Sequence, residues 1–504
     1  MVSVERESVD GDKRRGRAAV LRRIWRLHFW VGLFASPALV TLACSGLIIL
    51  YTQPLDLWLH RDLKVVSPSS STVSLDAQIA TARQHVDPAL TFDAVTPPES
   101  ADRSTQVDFT SDAPGERNVT QVFIDPYTGN YLGQRHELDG LVGWANQLHR
   151  LFGNDGPVVS LPSLGHLIAP SSYPEASIEV GVGNLIIEMT AVWVLVLAAT
   201  GIYLWWPRAI ERGKPRLGIR WGKGGRVRWR DLHATTGIVL SAMLIFYIVS
   251  GLTWSRYWGE NWRAVASTLT PATEIDAPST PAKVGDFDRL GRRIAWADKE
   301  DPVYASSGSA VSKPLGFNDI DAIAKSEKMI PGYSIVPPSN SDADGEMTYG
   351  SYTVVNHWPQ KLSEQRTLYL DQFSGKTIAN ATADQDGTLS RISSWGVDVH
   401  MGTQYGVFTR ILATVTCLAV LTSIVSAFAM WWKRRPTGTS GLPGRSSETS
   451  RANTPRGAVV AIGVIATALA VLYPSFGVSL IVVLIAESII ESRRTPAPKG
   501  ADHD

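Results

Sequence analysis

The chain has 504 residues, 44% hydrophobic and 19% charged, with 48 Lys and Arg against 47 Asp and Glu for a net charge of +1. That balance leaves no electrostatic footprint for nucleic acid, and the two cysteines, Cys44 and Cys417, exclude a disulfide framework and a thiolate metal site. The averages resemble those of a soluble protein, yet the apolar residues are segregated into long runs.

In chain order, a basic leader at 1–26 carries Lys13, Arg14, Arg15, Arg17, Arg22, Arg23 and Arg26. An apolar run at 27–50 follows, long enough to cross a bilayer, which takes about 20 residues. It exceeds a signal-peptide core and no small-residue cleavage site follows it, so it reads as an uncleaved span. Three further spans are predicted at 185–206, 233–254 and 400–432. The loop at 207–232 holds nine basic residues from Arg208 to Arg230, and Lys433, Arg434 and Arg435 follow the fourth span. Because Lys and Arg accumulate on the cytoplasmic side, the N-terminus is expected in the cytoplasm of a bacterial plasma membrane. Segments 51–148 and 255–399 then form extracytoplasmic modules, and 149–184 is an outer segment with an insert leading to the second span. A cytoplasmic linker is expected at 433–456. The stretch 457–491, interrupted by Pro474 and Gly477, has basic flanks at Arg451, Arg456, Arg493 and Arg494, which favours a hairpin of two short helices over one kinked helix. A cytoplasmic tail at 492–504 closes the chain.

The chain also repeats itself. The second span ends in Trp205 and Trp206 before Pro207, and the fourth ends in Trp431 and Trp432 before Lys433, both at an interface where aromatic rings settle. Val122-Phe-Ile-Asp-Pro-Tyr-Thr-Gly129 matches Leu368-Tyr-Leu-Asp-Gln-Phe-Ser-Gly375; each reads as a strand, an Asp-initiated turn closed by Gly, and a return strand. Helices are predicted upstream of each, at 75–86 and 318–328.

Four histidines fall in matched places of this repeat. His28 and His233 open the first and third spans, while His149 and His400 precede the second and fourth. Paired imidazoles from different helices are what a b-type haem requires, since iron takes one axial nitrogen on each side of the macrocycle. Two haems, one near each membrane face, would form an electron path. Asp231 and Asp398, each two residues before a candidate ligand, are candidate acceptors for the second ring nitrogen. Arg23, Arg26, Arg228 and Arg230 suit haem propionates. No CxxCH motif is present, so attachment would be non-covalent. The competing reading is that these histidines are interfacial polar groups at helix ends. His166, within the Pro- and Gly-rich insert, is an alternative to His149. His60, His85, His136, His357 and His503 read as solvated or packed. Glu188 reads either as a buried carboxylate contacting a proton or ligand, or as an interfacial group reaching water.

These residues carry a resemblance to the PepSY-associated transmembrane family, which includes iron-regulated inner-membrane proteins and ferric-siderophore reductases. It covers most of residues 21–435 and rests on Leu27-His28, Gly201-Ile-Tyr-Leu-Trp-Trp-Pro-Arg208, Arg230-Asp-Leu-His233 with Gly237, Ser250-Gly-Leu-Thr-Trp254, and His400 with Gly402 and Gly406. The resemblance implies PepSY-like modules at 72–135 and 314–380 and, in the reductase branch, two haems held by such histidines. The insert after His149 departs from the family pattern. The expected fold is a membrane all-α helical bundle, four core transmembrane helices plus a C-terminal hydrophobic hairpin, with two extracytoplasmic α+β PepSY-like modules.

The expected function is a di-haem b electron-transfer protein in which His28, His233, His149 and His400 are the axial iron ligands, reducing a ferric chelate or siderophore at the outer face. No nicotinamide or flavin fingerprint occurs, so a quinol or a separate reductase would donate the electrons. No side chain reads as a catalytic acid or base. Alternatively, the PepSY modules bind or regulate a protease or other partner without any cofactor. A transporter is disfavoured because spans one, three and four have almost no charge in their middles.

Overall fold

The computed structural model describes residues 2–111, 119–152, 156–210, 217–289, 292, 294, 296–307, 313–343, 346–356, 361–435 and 456–492. Most of the linker, the end of the polar tail with His503, loop residues 211–216, and His357 with the flanking Arg451, Arg493 and Arg494 lie outside them.

The chain opens with one continuous helix, α1 (Val2–Ile49), then α2 (Thr52–Leu59), α3 (Arg61–Lys64) and α4 (Leu75–Arg83). Strands β1 (Thr91–Thr96), β2 (Thr105–Thr110), β3 (Thr120–Ile124) and β4 (Tyr131–His136) lead to α5 (Gly140–Leu151). The insert folds as β5 (Val158–Pro162), α6 (Leu164–Ile168) and β6 (Ser177–Gly181) before α7 (Val182–Ile210) and α8 (Gly225–Leu252). The second half repeats the plan with α9 (Tyr257–Leu269), β7 (Ser279–Lys283), β8 (Pro302–Tyr304), α10 (Phe317–Ser326), β9 (Ser334–Val336), β10 (Ser341–Ala343), β11 (Glu346–Thr348), β12 (Tyr352–Val355), β13 (Arg366–Leu370) and β14 (Thr377–Thr382). Helices α11 (Thr388–His400), α12 (Val407–Arg434), α13 (Arg456–Leu472) and α14 (Pro474–Ser492) complete the chain.

The chain divides into two units. The helical unit comprises Met1–Ala43, Val182–Leu252 and Leu418–Asp504. Among the described residues, four helices are long and apolar enough to cross a membrane: Ala18–Ile49, Val182–Trp206, Gly225–Leu252 and Val407–Arg434. They overrun the predicted spans because a helix continues past the apolar stretch as long as its backbone bonds close. The first and third begin nine and eight residues before the predicted 27 and 233, whereas the fourth starts later, at Val407 rather than 400. Pro37 sits inside α1, where it cannot donate to the carbonyl of Leu33; the Ser36 hydroxyl does so instead, at 2.9 Å. The C-terminal stretch forms two helices that pack on each other, broken before Pro474. The second of them rests on α7, where the Trp193 and Phe476 rings meet tilted with centroids 4.7 Å apart and Trp193 Nε1 donates to the Ser479 hydroxyl at 2.9 Å.

The second unit comprises Cys44–Gly181 and Thr253–Cys417. Instead of two separate modules it contains one eight-stranded sheet in the order β14-β13-β12-β9-β1-β2-β3-β4. The two halves meet where β1 pairs antiparallel with β9 at Val95 and Ile335, so each half covers the other's sheet edge. Both halves contribute to one core, including Val107 and Val122 from the first and Ile335, Val354 and Leu368 from the second. The helices α4 and α10 cap each other's first turns. Asn318 Oδ1 accepts from Leu75 N at 2.8 Å, and Asp76 accepts from Phe317 N and Asn318 N at 2.9 and 3.2 Å. Each predicted hairpin turn is built as expected. Asp125 Oδ1 accepts from Tyr127 N, and Asp371 Oδ1 from Phe373 N and Ser374 N, with Gly129 and Gly375 at φ of 73° and 70°.

Candidate functional site

The four histidines form two pairs, one in each unit. His28 on α1 and His233 on α8 have ring centroids 6.3 Å apart with planes at 76°. His149 on α5 and His400 at the end of α11 repeat this at 6.4 Å and 75°. His400 therefore does not begin the fourth span. It closes its own helix, and a turn through Gly402 and Gly406, both at positive φ, separates it from α12. His149 likewise ends a short helix, and α6 with β5 and β6 intervenes before α7.

The surrounding hydrogen bonds fix the tautomer of the first pair. The Ser423 carbonyl lies 3.0 Å from His233 Nδ1, and a carbonyl only accepts, so Nδ1 carries the proton. Thr200 Oγ1 lies 3.0 Å from His28 Nδ1 and spends its single proton on the Val196 carbonyl at 2.7 Å, so His28 Nδ1 is also the donor. Both rings thus keep the Nε2 lone pair for a Lewis acid, the arrangement in which an outer partner orients a metal-binding imidazole. In the second pair, Ser45 Oγ lies 3.0 Å from His149 Nδ1. A glycine clears space beside one ring of each pair. A Cβ on Gly201 would stand 3.2 Å from His28 Cε1, and one on Gly46 would stand 3.1 Å from His149 Cε1.

Of the carboxylates expected beside the histidines, Asp231 does other work. Asp231 accepts from Arg220 Nε and Nη2 at 2.6 and 2.9 Å and from Arg230 at 3.1 Å. Residues two apart on a helix do not face each other, so Asp231 points away from His233. Asp398 lines a cavity with Trp254, Trp296, Asp298 and Met401. Burial pushes Asp298 there up to about 7, with Asp386 adding to the effect and the Gln365 amide opposing it from 3.2 Å. Arg26 lies two residues before His28 on α1. On α8, Arg228 packs its guanidinium 6.0 Å from the Trp229 ring.

Of the other candidates, His166 has Nδ1 on the Tyr173 carbonyl at 3.0 Å, on a helix whose Gly165 abuts Ala264 of α9. His60 sits 3.8 Å from Asp56, His85 stacks on Tyr131 at 4.1 Å, and His136 Nδ1 lies 3.3 Å from the Thr120 hydroxyl. Glu188 is fully buried in α7 rather than reaching water. Thr200, Ser423, Ser45 and Gly46 are the site residues that sequence reasoning missed. A small or hydroxyl residue within an apolar span is the only signal that pointed to them.

Among the described residues no group of three or more His, Cys, Asp or Glu side chains could hold a metal ion. Two imidazoles alone suit a metal that brings its remaining ligands with it. The sequence profile described as PepSY-associated TM region matches residues 25–434. No curated protein matches the chain.

Proposed function

The chain belongs to the PepSY-associated TM family, and from that premise we propose that it is a di-haem b electron-transfer protein, reducing ferric chelates such as siderophore-bound iron. The observation that carries the reading is the duplicated imidazole geometry, 6.3 Å and 6.4 Å between ring centroids. Metal–nitrogen bonds of about 2 Å with a ring radius of about 1.1 Å hold two imidazoles on opposite sides of one metal atom roughly 6.2–6.4 Å apart. Porphyrin iron fits this donor set because the macrocycle fills the four remaining positions. When bound, it supplies a one-electron couple.

The residues of the chain then divide the work. His28 with His233, and His149 with His400, would hold one iron each through Nε2. Thr200, Ser423 and Ser45 fix the ring orientations, and Gly201 and Gly46 keep the ring edges unobstructed. Arg23, Arg26, Arg228 and Arg230 are assigned to the propionates of the first group by charge complementarity. The N-terminal ends of α1 and α8 are read as the cytoplasmic side of a plasma membrane, on the strength of the basic residues around them. The second pair then serves the outer face, where one electron passes to iron(III). Iron(II) binds hard oxygen donors more weakly, which frees the metal. The electron comes from a quinol or a separate reductase.

The test is electron delivery. The protein in lipid nanodiscs is reduced with limiting dithionite, freed of excess reductant, and mixed with a ferric hydroxamate in the presence of ferrozine. The expected result is reoxidation of a b-type spectrum with one ferrous–ferrozine complex per electron stored. A protein that carries no pigment, or whose reduced form persists in excess chelate, contradicts the reading.

A further inference from the structure

The two short helices that end in His149 and His400 share a second pattern. In α5, Leu141 and Trp144 stand eight and five residues before His149; in α11, Ile392 and Trp395 stand eight and five before His400. All four are exposed, at 45%, 56%, 59% and 37%. The residues on either side of each Trp, Gly143 and Ala145 in one helix and Ser394 and Gly396 in the other, are buried. Positions three apart share a helix face, so each helix presents an aliphatic and a Trp outward while its other side packs into the unit. An ordinary solvated helix has no reason to expose an aliphatic and an indole at the same two offsets in both halves of a repeat.

Each helix adjoins the end of a span: His149 of α5 lies 3.0 Å from Ser45 near the end of α1, and α11 ends seven residues before α12 begins. Helix α2 begins three residues after Ile49 and exposes Trp58. At the other end, Val407 and Phe408 open α12 exposed, seven residues after α11 ends. Indole rings prefer the headgroup level, and an amphipathic helix buries its apolar face at the acyl boundary.

We propose that α5 and α11 lie on the bilayer, with Leu141, Trp144, Ile392 and Trp395 inserted into the lipid leaflet that these span ends enter. The occupant of this face is lipid, not protein, because both helices adjoin the ends of apolar spans and the exposed pattern is duplicated with those spans. Both helices are thereby anchored at one depth, and with them the pair His149 and His400. The inference holds whether or not the histidines bind a cofactor.

The experiment places a nitroxide on single cysteines in a Cys44→Ala/Cys417→Ala background reconstituted in nanodiscs. The sites are Leu141→Cys and Ile392→Cys, with Ile411→Cys as a lipid reference and Ser70→Cys as a water reference. All four are exposed, so labelling leaves the packed core alone. Power saturation compares collision with oxygen and with a water-soluble nickel chelate. Lipid insertion predicts an oxygen-to-nickel ratio at 141 and 392 near that at 411 and several-fold above that at 70. A ratio near that at 70 overturns the proposal. So does protection from both reagents, which would mean that a partner protein or a second copy covers the face.

Discussion

His149 and His400 face each other across 6.4 Å with their ring planes at 75°, the same relation that ties His28 to His233 on other helices. Perpendicular axial imidazoles leave the two iron d orbitals of π symmetry nearly degenerate, whereas parallel planes split them. The oxidised protein is therefore expected to give highly anisotropic low-spin EPR signals with a large principal g value at both sites. Rhombic signals of the parallel type would contradict this geometry.

The Thr200 hydroxyl is the acceptor that holds His28, and Gly201 is the gap beside it. Thr200→Val keeps the shape and removes the acceptor, so haem affinity at the first pair is expected to fall about 10- to 100-fold. Gly201→Val pushes directly on the ring and is expected to empty that site. In both variants the second site should keep its haem, as read by retention through gel filtration. Equal loss from both sites would indicate general unfolding instead.

One sheet whose two halves share the core around Val107 and Ile335 predicts one unfolding transition for the second unit. Ile335 is fully buried where the halves meet. Ile335→Ala removes packing from both and is expected to cost about 2–5 kcal/mol. Thermal melts followed by amide circular dichroism should shift as a single step. Two steps, with the 75–136 half unmoved, would mean that the halves fold independently.

Asp108 on β2 is buried, and its carboxyl is pushed up to about 7 by that burial, with Asp93 and Glu137 adding to the effect and Arg292 and the Gln106 amide opposing it. The folded state therefore binds a proton that the unfolded chain releases near its ordinary value of 3.8. Stability from this group is lost as pH rises from about 4 to about 7. Asp108→Asn removes the ionisation, so it should raise the melting temperature at pH 7.5 and change it little at pH 4.5. A melting point shift independent of pH would contradict the assignment.

The pairing of the histidines was legible because the repeat placed them at matched helix ends, and the hairpins because Asp125 with Gly129, and Asp371 with Gly375, carry their own turn chemistry. Their orienting partners were not. Asp231 stands close to His233 in sequence, but two residues along a helix is far around its axis, whereas Thr200 and Ser423 come from other helices. The joint between β1 and β9 rests on pairing between residues 240 positions apart, Val95 and Ile335, which no local pattern announces. Nor do apolar runs reveal that α11 ends before α12 begins; the break depends on the positive φ angles at Gly402, Tyr405 and Gly406.

The central claim is that each histidine pair holds one haem. The pyridine haemochrome count per chain, taken on the purified protein and on His28→Ala and His400→Ala, tests it most directly. About two b-type haems are expected in the parent and about one in each variant, with a different reduced absorption band surviving in each. A colourless parent from haem-replete cells, or a count that neither substitution changes, would contradict it.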